Sequence, residues 1–141
     1  MSNKSKGTNA ERELVIFFNQ RGWSAVRVAG SGSSHYPSAD VLAGNAIRKL
    51  AIECKTTKER KKYFTREEVN QFLTFCRTFG VESWIAVKFH RQPWFFVPTE
   101  ALEVTGICLS VSPELAQKKG VRFEELLTLS RPPSGILEQN I

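Results

Sequence analysis

The spacing of hydrophobic residues along the chain predicts a mixture of helices and strands. Apolar positions at helical spacing predict a helix over residues 8–21, opened by a capping box at Thr8 to Glu11, and a second helix over 66–79. Alternating or wholly apolar runs predict strands at 24–28, 39–44, 50–55, 82–89, 94–97 and 107–111, with a last helix at 123–129. The apolar residues on the core side of the second helix are Val69, Phe72, Leu73, Cys76 and Phe79. Because residues 94–97 are apolar on both faces, we expect a sheet covered on both sides, by helices or by a partner subunit.

The stretch 39–55 places charged residues inside two otherwise apolar strands. In the second of these strands Ala51, Glu53 and Lys55 share one face. Opposite charges on an apolar strand are costly to bury unless something binds there. If the strands form a hairpin, Asp40 approaches Glu53, and the two carboxylates form an oxygen-rich site suited to Mg²⁺ or Mn²⁺, with Lys55 beside it to meet an anionic substrate. The alternative is a surface hairpin with an ion pair.

Two neighbouring segments have two interpretations each. Glu11, as the fourth residue of a capping box, would reach back to the amide of the cap. Its spacing from Leu14 and Phe18 also turns it towards the core, where it would overhang the strand site as a third carboxylate. The serine- and glycine-rich loop at 29–38 is either a segment whose amides and hydroxyls touch a phosphate or a flexible connection.

Composition and charge narrow the class of protein. A chain of 141 residues predicts one domain, which we place at 1–130 with a basic flexible arm at 1–7, followed by a disordered tail at 131–141. Lysines and arginines outnumber acidic residues by 20 to 14, so the net charge of +6 favours a polyanionic partner, nucleic acid first. Three cysteines with no CxxC pair argue against a zinc site or a disulfide framework. Because no signal peptide and no long apolar run is visible, we expect a cytoplasmic protein with no membrane partner.

The basic run over residues 56–64 leaves directly from the strand that carries Lys55. Such a run is either a solvated surface or a set of contacts to a phosphate backbone, and its position in a basic protein favours contacts to DNA. The candidate DNA-contacting residues of the whole chain are Lys4, Lys6, Arg12, Arg27, Ser33, Lys58, Arg60, Lys61, Lys62 and Arg66.

The residues of the hairpin carry a resemblance to a known family. Asp40, a spacer and then Glu53-x-Lys55 resemble the active-site pattern of the PD-(D/E)XK nuclease superfamily. More of the chain is similar to the archaeal-type Holliday-junction resolvases, the Hjc family. The matching segments are the arm and early glutamate at 6–12, the serine-glycine loop at 27–33, the strands at 40–43 and 52–55, and elements up to Leu102. One departure is Ala39, which stands where the family commonly has proline, while the last forty residues or so match poorly.

The resemblance implies a fold and an activity. The implied fold is α/β, a restriction-endonuclease-like mixed central sheet flanked by helices in one domain. The implied activity is that of a structure-selective endonuclease, a homodimer that resolves four-way junction DNA by paired, Mg²⁺-dependent phosphodiester hydrolysis, with Mn²⁺ able to substitute. No small-molecule substrate is expected.

The resemblance also assigns roles to residues. Lys55 would position or activate the attacking water or stabilise the transition state, and Ser31 would lie beside the scissile phosphate. The implied metal ligands are Glu11, Asp40, Glu53 and the main-chain carbonyl of Cys54.

Two alternative functions stay open. One is another PD-(D/E)XK nuclease, such as a repair, restriction-like or phage DNA-processing enzyme, although the chain has no room for a separate sequence-reading domain. The other is a junction-binding module without catalysis, which Asp40, Glu53 and Lys55 argue against, because a pure binder has no use for two metal-seeking carboxylates.

Overall fold

The computed structural model describes residues 3–30 and 35–129, with side chains from Lys6 onwards. The helices are α1 (Asn3–Gln20), α2 (Arg66–Phe79), α3 (Pro113–Lys119) and α4 (Phe123–Thr128), and a 3₁₀ turn covers Thr99–Ala101. The strands are β1 (Ser24–Arg27), β2 (Val41–Gly44), β3 (Lys49–Thr57), β4 (Lys62–Phe64), β5 (Glu82–Phe89), β6 (Trp94–Pro98), β7 (Glu103–Thr105) and β8 (Cys108–Val111). The predicted tail at 131–141 lies outside the described residues.

A mixed five-stranded sheet forms the centre of the fold, with the strand order β1-β2-β3-β5-β6. The strands β2 and β3 pair as an antiparallel hairpin, whereas β3 and β5 run parallel and are connected through α2. The remaining pairs of this sheet are antiparallel. A second sheet, with the order β4-β8-β7, packs at the side of α2. The fold therefore agrees with the α/β mixed central sheet that the family resemblance implies.

Helices cover both faces of the central sheet. On one face α1 and α4 pack on the strands through residues such as Leu14, Phe18 and Leu126, all fully buried. On the other face α2 contributes Phe72 and Cys76 to a second buried cluster. This layering explains why the central strands are apolar on both sides, as expected for strands buried between two layers of helices.

Local signals determine the bounds of α2. Its N-cap, Thr65, accepts a hydrogen bond from the amide of Glu68 at 3.1 Å, and the helix ends at Gly80, which has φ of 83°. A residue without a side chain adopts this left-handed conformation at little cost. Both bounds are those predicted from the sequence.

The structure corrects several predictions. The helix α1 begins at Asn3, so the capping box at Thr8 to Glu11 is wrong, and residues 3–7 belong to the helix instead of forming an arm. The predicted basic connection contains the strand β4, and β7 and α3 were not foreseen. Within the described residues β4 pairs with β8, which is distant from it in sequence, so the formation of β4 depends on tertiary contacts that periodicity does not record. The strand β7, by contrast, forms a local hairpin with β8. Within the described residues, no helix has the length and apolar character needed to cross a membrane.

Candidate active site

The hairpin of β2 and β3 brings Asp40 and Glu53 face to face. Val41 pairs with Ile52, so Asp40, the residue before β2, stands opposite Glu53. The main chain of Asp40 is held on both sides, because its amide donates to the carbonyl of Ile52 at 3.1 Å and its carbonyl accepts from Val28 at 2.8 Å. Its side-chain Oδ2 accepts a hydrogen bond from the amide of Cys54 at 2.9 Å. Main-chain bonds to Val28 and Ile52 thus fix the backbone of Asp40, and the amide of Cys54 holds its carboxylate beside Glu53.

Glu53 is a half-buried carboxylate in a negative environment. Burial is the main reason that its pKa is raised to about 8, and the charge of Asp40 and a hydrogen bond with that side chain add to the rise. The charge of Lys55 acts in the opposite direction, and that of Glu68 on α2 raises the pKa slightly further. An acid so close to a second carboxylate ionises readily only when a cation enters the site.

Glu11 lies on α1 at the edge of this pair. Its carboxylate Oε1 is 3.4 Å from the guanidinium Nη1 of Arg27, and both side chains are partly buried. Burial and the nearby charge of Asp40 raise the pKa of Glu11, and Arg27 and Lys55 lower it. Glu11 is therefore close enough to the carboxylates of the hairpin to interact with them, and it has no capping role.

The carboxylates of the site supply part of the ligand set that a hard cation such as Mg²⁺ needs. Between residues 3 and 129, leaving out the segment 31–34, no three His, Cys, Asp or Glu side chains converge closely enough to enclose a metal ion. Asp40 and Glu53 are the carboxylates that the structure brings into contact, and the charge of Asp40 also acts on Glu11. Two or three carboxylates are the donors that Mg²⁺ accepts, since this ion keeps several waters and seldom needs a full protein cage.

Lys55 and Cys54 follow Glu53 along β3. Lys55 shares a face with Glu53, and its ammonium lies 6.0 Å from the centre of the ring of Phe64, the last residue of β4. Burial raises the pKa of the Cys54 thiol well above its ordinary value, so this cysteine is not a reactive group. What Cys54 provides is main chain, through the amide that binds Asp40.

The candidate DNA-contacting residues fall into three groups. Lys6, Arg12, Lys58, Arg60 and Arg66 are exposed, and Lys61 and Lys62 are half-buried. Arg27 is half-buried and pairs with Glu11, a partner that the sequence did not suggest. Ser33 and the side chain of Lys4 lie outside the described residues, as does Ser31, the residue expected beside the scissile phosphate.

Sequence reasoning missed Glu68 as a neighbour of the site. This residue is in the first turn of α2 and its charge reaches Glu53 across the core side of the sheet. The capping pattern at Thr65 identified the start of α2, yet no local signal indicates that this turn lies under β3. Only the crossover connection between β3 and β5 brings it there.

The sequence of this chain is similar to those of known DNA-junction nucleases. A family model described as archaeal Holliday junction resolvase (Hjc) matches residues 2–133. The crossover junction endodeoxyribonuclease Hjc of Archaeoglobus fulgidus is 44% identical over 129 residues, which is 86% of this chain and 95% of that protein. The crossover junction endodeoxyribonuclease Hje of Saccharolobus solfataricus is 37% identical over 106 residues, covering 72% of this chain and 78% of the relative.

Solved structures agree with the sequence relatives. The crystal structure of Archaeoglobus fulgidus Hjc, a Holliday junction resolvase from an archaeal hyperthermophile, matches with a TM-score of 0.79 at 38% identity, covering 85% of this chain and 98% of that one. A bacterial homing endonuclease matches with a TM-score of 0.55 at 14% identity over 89% of this chain and 91% of its own, a likeness of fold alone. By the family model and by these relatives, this chain belongs to the archaeal Holliday junction resolvase (Hjc) family.

Proposed function

We propose that this chain is a structure-selective endonuclease that resolves four-way (Holliday) DNA junctions by paired cuts in opposing strands. The observation that carries the proposal is the hairpin geometry, in which Asp40 stands opposite Glu53 and Lys55 follows two residues later on the same face. The relatives named as crossover junction endodeoxyribonucleases support the choice of substrate. The exposed basic residues along α1 and after β3 support a polyanionic partner.

The proposed cofactor is Mg²⁺, with Mn²⁺ able to substitute. Asp40 and Glu53 would hold it together with the main-chain carbonyl of Cys54, and Glu11 would complete the protein ligands from α1. A bound divalent cation lowers the pKa of a water molecule and compensates the charge on the attacked phosphate. The mutual repulsion of Asp40 and Glu53, which contributes to the raised pKa of Glu53, supports a cation as the natural partner of this pair.

Lys55 is the proposed positive charge at the phosphate. Its side chain extends from the face of β3 that carries Glu53, and its charge acts on Glu11 and Glu53 alike. From there the ammonium would orient the attacking water or stabilise the charge that develops on the phosphate oxygens. Ser31, in the serine-glycine loop that leads to Asp40, is proposed to lie beside the same phosphate.

The proposed DNA-binding surface surrounds this site. The basic turn at 58–61 follows the end of β3 that carries Lys55, and Lys6 and Arg12 lie on α1 to either side of Glu11 along the sequence. Contacts from such side chains bind the phosphates of any sequence, so they contribute affinity and no sequence preference. The shape of the junction would then set specificity.

A homodimer would supply the second cut. The described part of one chain carries one hairpin site, whereas resolving a junction requires a cut in each of two opposing strands. The chain also exposes apolar residues on the α2 side of β1 and β2, around a shallow concavity of about 600 Å³. Val26 is 58% exposed and Phe79 is 60% exposed at its edge. We name this surface the Phe79 patch, defined by the exposed Val26 and Phe79 together with the partly buried Leu42 and Phe75, and infer that a second copy of the chain covers it.

The test is a cleavage assay with an immobile synthetic four-way junction and a linear duplex of the same sequence, each with and without Mg²⁺. Paired nicks near the branch point, dependent on the metal and absent from the duplex, are the expected result. Equal cutting of the duplex would mean a general nuclease with the same site. No cutting of either DNA at any Mg²⁺ concentration, with binding retained, would mean a junction-binding protein without catalysis.

A further inference from the structure

The sequence suggested that Arg27 contacts a phosphate of DNA. In the structure this basic residue pairs instead with a protein carboxylate near the site. Its Nη1 lies 3.4 Å from Oε1 of Glu11, and the two side chains are only 27% and 14% exposed. The contact joins β1 to α1, two elements that are sixteen residues apart at these positions. A charge in that position is directed at a protein carboxylate and is partly withdrawn from solvent.

The same strand end also holds Asp40. Arg27 pairs with Val41, and the amide of the next residue, Val28, donates to the carbonyl of Asp40 at 2.8 Å. The end of β1 therefore fixes the backbone of one carboxylate through Val28 and the side chain of another through Arg27. Within the described residues the guanidinium engages Oε1 of Glu11, and no hydrogen bond to Oε2 is found.

We propose that Arg27 is a positioning residue, which holds Glu11 next to Asp40 and acts on the metal through Glu11, without contacting DNA. This inference rests on the proposed role of Glu11 as a metal ligand. In metal sites the groups that hydrogen-bond to ligating carboxylates fix their orientation, and removing such a group typically costs about 10- to 100-fold in metal affinity or activity. A single glutamate reaching from a helix has several rotatable bonds, so it gains most from such a partner.

The direction in which removal of Arg27 changes the metal affinity distinguishes a positioning role from a purely electrostatic one. Removing a cation from the neighbourhood of a metal site would, by electrostatics alone, strengthen the binding of a divalent ion. If Arg27 positions Glu11, its removal weakens that binding instead. A loss of affinity in Arg27→Gln therefore has no electrostatic explanation.

The experiment is calorimetric titration of the purified full chain with Mn²⁺, without DNA. We expect Arg27→Gln and Glu11→Gln each to weaken binding about tenfold. The double variant should bind Mn²⁺ as tightly as the single variant with the lower affinity, because both changes remove the same ligand. Arg27→Lys, which keeps a cation of similar reach, should recover part of the loss. Arg21→Gln is the matched control, since it breaks another arginine–glutamate pair, with Glu124, at the far end of α1 and should leave the affinity unchanged.

Four results would contradict the positioning role of Arg27. The inference is wrong if Arg27→Gln binds Mn²⁺ as well as or better than the unaltered chain, if losses in the double variant add, or if the unaltered chain binds no Mn²⁺. It is also wrong if Arg27→Gln weakens metal-free junction binding and reduces its salt dependence by about 0.9, the signature of a lost phosphate contact. A chain that shows the Mn²⁺ coupling and cuts no junction would refute the proposed function and leave the role of Arg27 standing.

Discussion

At the scale of single residues, Glu53 is the side chain that the fold accommodates at a cost. It is half-buried on β3, opposite Asp40, and both conditions oppose its ionisation. The positive charge of Lys55 lowers the pKa of Glu53, but by less than burial and Asp40 raise it. A structural role would be better served by an apolar residue at this position, so the carboxylate is best explained by a ligand that the folded chain binds.

The first prediction concerns stability without metal. The pKa of Glu53 is raised from its ordinary value to about 8 by burial and by Asp40, so the folded state holds its proton more tightly than the unfolded state. The stabilising contribution is then complete below the ordinary pKa and is lost as the pH rises through about 8. In EDTA, the urea midpoint of the unaltered chain should fall between pH 5 and pH 9, and that of Glu53→Gln should fall less.

The control for that measurement is Glu59→Gln, an exposed glutamate in the turn after β3, which should follow the unaltered chain at every pH. Identical pH dependence in all three proteins would show that Glu53 has an ordinary pKa. Adding Mn²⁺ at pH 8 should restore stability to the unaltered chain, because a ligand that binds the folded state alone stabilises it.

The second prediction separates catalysis from binding. Asp40→Asn and Glu53→Gln each remove a proposed metal ligand and keep the size of the side chain. Junction cutting should fall by a factor of at least 10³, the order expected when a main electrostatic element of a site is lost. Junction affinity in EDTA, measured by gel shift, should stay within about twofold. Equal losses of cutting and binding would instead indicate that these residues shape the fold.

At the scale of elements, the sequence predicted those parts whose signals are local. A threonine cap and a terminal glycine specify α2, and alternating or apolar runs specify β2, β3, β5 and β6. The start of α1 was misplaced because Thr8 to Glu11 matches a cap yet lies within a longer helix. Phe79 was assigned to the core by periodicity and is 60% exposed, stacked on Phe75 at the end of the helix. Periodicity identifies a face of a helix, and neighbouring elements decide how far along that face burial extends.

A buried ion pair connects three elements and left no signal in the sequence. Arg48, in the turn between β2 and β3, donates two hydrogen bonds to Glu82 at the start of β5, at 2.8 and 2.9 Å. Its remaining nitrogen donates to the carbonyls of Leu126 and Leu129 at 2.6 and 3.1 Å, at the end of α4. Trp84 donates to the same glutamate at 3.0 Å. The partners are separated by 34 and more residues, so only the folded chain brings them together.

The third prediction tests this pair. Glu82→Gln leaves the Arg48 guanidinium buried without its counter-charge, which should cost about 3–5 kcal/mol of stability in chemical unfolding. Replacing both residues, as in Arg48→Met with Glu82→Leu, should cost less than the single change, because no uncompensated charge remains buried. The double variant should bind Mn²⁺ normally, since the pair lies at the opposite end of β3 from Lys55. A single variant as stable as the unaltered chain would show that the pair is hydrated.

At the scale of the whole molecule, the net charge of +6 leads to a prediction about how junction affinity depends on salt concentration. If about six basic side chains of each subunit contact phosphates, the logarithm of junction affinity should fall with that of salt concentration at a slope near −5, from about −0.9 for each contact. Arg60→Gln should reduce the magnitude of this slope by about 0.9 and leave Mn²⁺ affinity unchanged. Lys119→Gln, on the exposed side of α3, is the control and should leave the slope as it is.

The last prediction concerns the Phe79 patch and the need for two cuts. Phe79→Asp places a charge in the apolar interface that we infer between two copies, so the variant should be monomeric by light scattering at concentrations where we expect the unaltered chain to be a dimer. Because Phe79 is mostly exposed in the single chain, the fold and the hairpin site should persist. Ile107→Asp is the matched control, an 86% exposed apolar residue between β7 and β8 outside the patch, and should remain dimeric.

The consequence for catalysis can be measured on a supercoiled plasmid that extrudes a cruciform. Two cuts made within one binding event convert this plasmid directly into a linear product, whereas one cut releases the supercoiling, removes the cruciform and leaves a nicked circle. A dimer with both sites at the junction should therefore yield mainly linear DNA, and the Phe79→Asp monomer mainly nicked circles. Linear product from a monomeric variant would place the second cut outside the dimer and would separate the apolar patch from resolution of the junction.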